Sequence, residues 1–221
     1  MTTRTIERAL GIPAWGLLVA LMTTALLVAV ALPAVAADDA FPVTVVDDEG
    51  TEDTVEASPE RIISLSPANT ETVYALGAGD RLVGGTDYDD YPPEAAEVTD
   101  VATFTGVIME QVVALEPDLV LAAGNGLTKP GEIATMRELG YPVVVLYAPD
   151  VDTVMADIEI IGATVGAAEE ARAMTAQLNA QMEVVAAEAA AAGVTPRVFY
   201  ELDATSEIFA PAPDSFVADM I

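Results

Sequence analysis

Hydrophobic and polar positions change period several times along this chain, and the changes mark out its elements. Residues 41–46 and 51–55 alternate with period two around Asp47-Asp48-Glu49-Gly50, a turn whose glycine can take positive φ, so the pattern predicts a β-hairpin at the edge of a sheet. Residues 61–65 form a short β-branched run that stops at Ser66-Pro67. A serine followed by proline starts a helix, because the hydroxyl caps free N–H groups and the ring fits the first helical position. The helix predicted over residues 67–76 ends at Gly77, and residues 82–86 resume as an apolar strand. Strand, helix and strand in this order imply a parallel βαβ unit.

The alternation then repeats. Helices are predicted over residues 108–115, 132–139 and 152–165, and strands over 119–122 and 142–147. Residues 98–106 read as an irregular stretch with one aromatic, Phe104, in polar surroundings, which either plugs the core or lines a cleft. Over residues 169–192, Ala171, Met174, Leu178, Met182, Val185 and Ala189 recur at steps of three and four. That periodicity predicts one helix with a single stripe facing a core along its length. It would extend roughly 36 Å at 1.5 Å per residue, longer than one small lobe requires, so it reads as a connector. A strand over 197–202 and an amphipathic helix from Ser215 follow. The fold class expected is α/β: a Rossmann-like parallel-sheet lobe at 37–168, a connector helix at 169–193, and at 194–221 the start of a second lobe, as in a C-terminally truncated two-lobe protein.

The first 36 residues have a different character. Arg4 and Arg8 precede an uncharged run rich in Leu, Val and Ala that closes on Ala34-Val35-Ala36, the pattern of a cleaved secretory signal. The run is also long enough to serve as a retained membrane anchor; Pro33 and the small-residue site favour removal.

Composition then removes whole classes of function. The 221 residues include no cysteine and no histidine, which excludes disulfides, thiolate or imidazole metal sites, and Ser-His or Cys-His catalytic pairs. With 36 acidic against 8 basic residues the formal net charge is -28, so nucleic acid is not a partner. The acidity reads as a solvated surface. Gly77-Ala78-Gly79 suggests half a dinucleotide fingerprint, but these glycines close a helix, whereas a phosphate loop must open one. Adjacent Asp89 and Asp90 could serve a secreted hydrolase, although neighbouring loop carboxylates seldom converge and no nucleophile elbow is present. A non-catalytic surface protein is the other alternative. Tyr88 and Tyr91 follow a strand's carboxyl end, where open α/β sheets keep their ligands, and the loop Ala123-Gly-Asn-Gly-Leu-Thr-Lys129 belongs to the same rim. There Asn125 and Gly126 either let backbone approach a ligand or simply turn the chain.

Three stretches carry a family resemblance: SPANTE at 66–71, GAGDRLVG at 77–84 and DYDDYPPEA at 87–95. Together they resemble the substrate-binding proteins of ABC importers for cobalamin and ferric siderophores, the cobalamin binders above all. The resemblance implies an exported, non-enzymatic and monomeric protein without a cofactor of its own. Its cargo would be a large metal chelate, a corrinoid, ferric siderophore or haem, held between two lobes and delivered to the permease subunits of an importer. It implies ligand contact from Tyr88 and Phe104, with Phe104 standing where the cobalamin binders have tryptophan, and from Leu202 in place of an aromatic. A second tryptophan of those binders corresponds to Ala123, which thins the aromatic cradle. Glu110, in the first turn of its helix, matches a glutamate that pairs with permease arginines; favourable interaction with the helix dipole explains it equally well.

Overall fold

The computed structural model describes residues 41–201, 205, 208, 210–212 and 215–220. The signal segment and Leu202 lie outside the described residues.

The hairpin comes first, β1 (Val43–Val46) and β2 (Glu52–Val55), with Val43 opposite Val55 and Val46 opposite Glu52. It forms a two-stranded sheet of its own rather than extending the main one. Its turn is what reaches the main sheet. The Asp48 N–H donates to the Val145 carbonyl at 3.0 Å, and the Val145 N–H donates to Asp47 Oδ2 at 3.3 Å, so the turn covers an edge strand that would otherwise expose unpaired backbone.

The main sheet has six strands: β3 (Ile62–Ser64), β4 (Leu82–Thr86), β5 (Thr99–Thr103), β6 (Gly106–Val107), β7 (Leu119–Ala123) and β8 (Val143–Leu146). Their spatial order is β6-β5-β4-β3-β7-β8, parallel except for β6, which runs antiparallel to β5. The stretch read as irregular is therefore a strand and a tight return, with Phe104 at the tip. Threonines at both ends hid a strand whose buried centre is only Val101 and Ala102.

Helices α1 (Pro67–Ala75), α2 (Met109–Leu115), α3 (Pro130–Glu138) and α4 (Val151–Thr164) alternate with the parallel strands, and α5 (Ala168–Ala192) and α6 (Phe216–Asp219) follow. Successive strand residues serve opposite faces of the sheet. Ile62, Leu119, Leu121, Val144 and Leu146 pack with Val73, Ile158, Ile161 and Ala171 of α1, α4 and α5. Ile63, Val120, Ala122, Val143 and Val145 pack with Val112, Ile133 and Met136 of α2 and α3. Burial on both faces is why these strands read as continuous apolar runs rather than alternating ones. The chain winds outward from β3 through β4 and β5, then recrosses to β7 and β8, so the winding reverses between β3 and β7.

Two expectations fail toward the carboxyl end. The α5 stripe does not face a core along its whole length: Ala171 and Thr175 are buried and Met174 and Leu178 are packed against the core, whereas residues 179–192 are exposed, Val185 to 65%. The helix on which α5 lies, α4, has 14 residues against 25, so α5 outruns its support by several turns. Residues 197–201 form no strand and are exposed, so no sheet takes them in among the described residues. Among the described residues no helix is long and apolar enough to cross a membrane.

Candidate functional site

A crevice opens where the winding reverses, at the carboxyl ends of β3 and β7, the place where open α/β sheets bind ligands. Its floor is set by the start of α1. Ser66 Oγ accepts from the Asn69 N–H at 3.3 Å, Pro67 supplies the first helical residue, and Asn69 Nδ2 donates to the Leu121 and Ala122 carbonyls at 3.4 Å each. The helix start is thereby fastened to β7.

One wall is the loop after β4. Buried Asp89 accepts from Thr86 Oγ1 at 2.5 Å, from the Thr86 N–H at 3.0 Å and from Thr70 Oγ1 at 2.6 Å. Thr70 Oγ1 also lies 2.8 Å from Ser64 Oγ. This network locks the SPANTE segment to the DYDDYPP segment, giving two of the motifs a shared physical purpose. Gly85 makes it possible, since a Cβ there would stand 2.6 Å from Asp89 Oδ2. Asp89 is a brace, and Asp90 is exposed, so the two do not form a carboxylate pair. With the loop held this way Tyr88 is 58% exposed over the crevice.

The opposite wall is the β5–β6 return. Phe104 at its tip is 89% exposed, which settles its place outside the core. Lys129, the only lysine in the chain, donates to the Thr105 carbonyl and lies 3.1 Å from Glu132 Oε1, while the Val107 N–H donates to the same Glu132 oxygen at 3.3 Å. The pair ties the Phe104 return to the start of α3. Gly106, at φ 133°, leaves room for this: a Cβ there would lie 2.4 Å from both Lys129 Nζ and Glu132 Oε1.

The third wall is the loop after β7. It closes on itself, the Thr128 N–H donating to the Ala123 carbonyl at 2.9 Å and the Ala123 N–H to Thr128 Oγ1 at 3.1 Å. Asn125 and Gly126 take positive φ at its tip, 54° and 77°, so the turn role is realised. Leu127 is left 74% exposed.

The crevice has a volume of about 600 Å³, in the range of small-molecule sites. Tyr88, Phe104 and Gly126 line it; Asn125 does not, although its loop does. Reading the sequence placed the loop holding Leu127 and Thr128 on this rim without singling them out, and missed Leu65, Ser66, Thr86 and Thr103, which also line the crevice. The available signal was position: each lies in or just after the last residues of β3, β4, β5 or β7. Glu110 is exposed in the first turn of α2 and is not part of the lining. Among the described residues no group of three or more acidic side chains could hold a metal ion.

Comparison with known proteins accords with this geometry. An uncharacterized ABC transporter substrate-binding lipoprotein of Bacillus subtilis, YvrC, is 32% identical over 187 residues, covering 83% of this chain and 59% of its own length. The vitamin B12-binding protein of Vibrio cholerae is 41% identical over 104 residues, 46% of this chain and 37% of its own. The crystal structure of the periplasmic vitamin B12 binding protein BtuF of Vibrio cholerae superposes with a TM-score of 0.57 at 32% identity, over 73% of this chain and 62% of that one. The chain thus spans less than two thirds of the length of each. The α/β architecture is that of these two-lobe binding proteins. The sequence pattern of the periplasmic binding proteins matches residues 62–221, and the chain belongs to that family.

Proposed function

We propose that this chain provides the first ligand-binding lobe of an extracytoplasmic solute-binding protein, which captures a large metal chelate and delivers it to an ABC importer. The observation that carries this reading is the crevice at the winding reversal, where two aromatic rings on separately braced loops stand exposed. An exposed ring gains nothing for the fold, whereas it gives a flat, largely apolar ligand area and ring contact. The relatives named above, a vitamin B12-binding protein and an ABC transporter substrate-binding lipoprotein, support the same direction. Residues 37–168 form the lobe in this reading, 169–193 the connector and 194–221 the start of its counterpart, with Leu202 as a ligand contact. The metal arrives with the cargo, and the protein contributes no cofactor and no catalysis. Residues 1–36 direct export.

Glu110 fits the importer-facing role. It is exposed and clear of the crevice, so Glu110→Ala lowers transport while ligand affinity stays unchanged, as expected of a rim charge that sets register. Titration calorimetry of the whole protein carrying this chain with cyanocobalamin, ferrioxamine B and haemin tests the central reading. Binding of one of them at micromolar strength or tighter, about -8 kcal/mol, supports it. Binding of none contradicts it.

A further inference from the structure

Resting on that reading, we infer that the crevice selects by charge: it takes uncharged or cationic chelates whose rim carries amide or hydroxyl groups, and it disfavours chelates bearing carboxylates or catecholates. The lining is apolar side chains, backbone and hydroxyls, the hydroxyls coming from Ser66, Thr86, Thr103, Thr128 and the Tyr88 phenol, and among the described residues it includes no charged side chain.

The described cations are engaged elsewhere or placed elsewhere. Lys129 stands beside the lining at Gly106, but its charge is paired with Glu132 at 3.1 Å and it donates to the Thr105 carbonyl. Arg61 donates to the Leu115 carbonyl at 2.7 Å, and Arg81 to the Pro59 and Val165 carbonyls at 2.9 and 2.8 Å. Arg137 binds Asp47 Oδ2 and the Val143 carbonyl, both at 2.9 Å. Arg61 and Arg81 stand just before β3 and β4, and Val143 opens β8, so all three arginines work at the amino-terminal ends of the strands, away from the crevice. Arg172 and Arg197 lie in and beyond α5 and do not line it.

Apart from the Lys129–Glu132 pair beside Gly106, the charged side chains close to the crevice are acidic. Asp87 and Asp90 are exposed on the Tyr88 loop. A neighbouring hollow of about 410 Å³ shares Ser66, Pro67, Ala123 and Leu127 with the crevice, and among the described residues its lining holds no cation; its one carboxyl, Asp157, is pushed up to about 7 by burial and adds negative charge only above that pH. Helix starts do not reverse the sign. At α1, Pro67 has no N–H, the Asn69 N–H is taken by Ser66 Oγ and the Thr70 N–H by the Ser66 carbonyl at 3.1 Å, and Ala68 lines the neighbouring hollow rather than the crevice, so this helix start does not supply the crevice with an anion site. At α3, Glu132 in the first turn already answers the helix dipole. A carboxylate entering such a site would lose hydration without gaining an unpaired counter-charge, whereas rim amides meet hydroxyls.

The test is a charge series on the whole protein carrying this chain, by calorimetry at fixed salt: cyanocobalamin (neutral), ferrioxamine B (cationic), ferric enterobactin and haemin (both anionic). One of the first two binds, and both anionic probes bind weaker by roughly tenfold or more. Thr103→Lys, which places a cation on the lining, raises the affinity for the anionic probes several-fold. An anionic probe that binds as tightly as the best neutral or cationic one overturns the charge rule and leaves the solute-binding reading standing. If none of the four binds, the solute-binding reading falls and the charge rule with it.

Discussion

The two ends of the central sheet are built from different chemistry. At the amino-terminal ends of the strands, charges are bound in place: Arg137 bridges Asp47 and Asp53 at 2.9 and 3.4 Å and the Val143 carbonyl, while Arg61 and Arg81 hold backbone carbonyls. At the carboxyl-terminal ends, the described lining carries no charged side chain, and Tyr88, Phe104 and Leu127 present apolar area to solvent. The difference separates framework from site. Paired charges fix geometry, whereas exposed rings have a use only if something covers them.

The amino-terminal end can be broken most severely. Arg137→Met leaves the Asp47 carboxylate, whose side chain has no exposure, without its cation. Loss of one partner from a buried pair costs about 3–5 kcal/mol; because Arg137 is 28% exposed, about 3 kcal/mol is expected here, read as a lowered denaturation midpoint with an unchanged slope. Intact stability would show that the hairpin turn, not the ion pair, fastens this edge.

The carboxyl end answers in the opposite currency. Phe104→Ala is expected to weaken ligand binding by roughly 1–3 kcal/mol, as for loss of an aromatic anchor. Stability should stay within about 0.5 kcal/mol, since the ring is outside the core. Calorimetry and thermal melts on the same preparation separate the two effects, and a melt that falls while affinity holds would return Phe104 to the fold.

A smaller effect sharpens the framework side through pH. Burial pushes the Asp53 carboxyl up to about 6, with Arg137 pulling it back and Asp47 adding to the rise. Burial, reinforced by facing Asp48, pushes Asp157 up to about 7. A carboxyl whose pKa is higher in the folded than in the unfolded chain favours folding in its protonated form. Its contribution is complete below pH 4 and is lost as pH rises toward 6 for Asp53 and 7 for Asp157. Stability should therefore decline as pH rises from 5 to about 7, where both carboxyls have ionised, read as a falling melting temperature. Asp157→Asn should flatten that decline, and a melting temperature that rises over the same interval would contradict the assignment.

Much of this frame was legible in the sequence because local signals and tertiary demands agree. Ser66-Pro67 caps α1, and the apolar runs at 119–123 and 143–146 are buried on both faces. What escaped depends on partners that a linear pattern does not contain. The strand β5 has only two buried residues, and its pairing with β4 makes it a strand. The outer half of α5 has the periodicity of a packed helix, yet α4 is too short to cover it. At the crevice, Tyr88, Phe104 and Gly126 stood out by residue type. Leu127, Thr103 and Thr128 are ordinary residues that matter through their place at strand ends, and the Lys129–Glu132 tie becomes visible only once the β5–β6 return lies beside α3.

Hydrogen exchange of the whole protein, measured with and without cyanocobalamin or whichever chelate binds, tests the crevice as the binding site most directly. Ligand should protect amides at 66–68, 86–88, 103–107 and 124–128, the three walls and floor of the crevice, while 47–53 and 137–143 at the amino-terminal end exchange as before. Protection confined to the amino-terminal end, or binding that leaves 103–107 and 124–128 unprotected, would contradict the account.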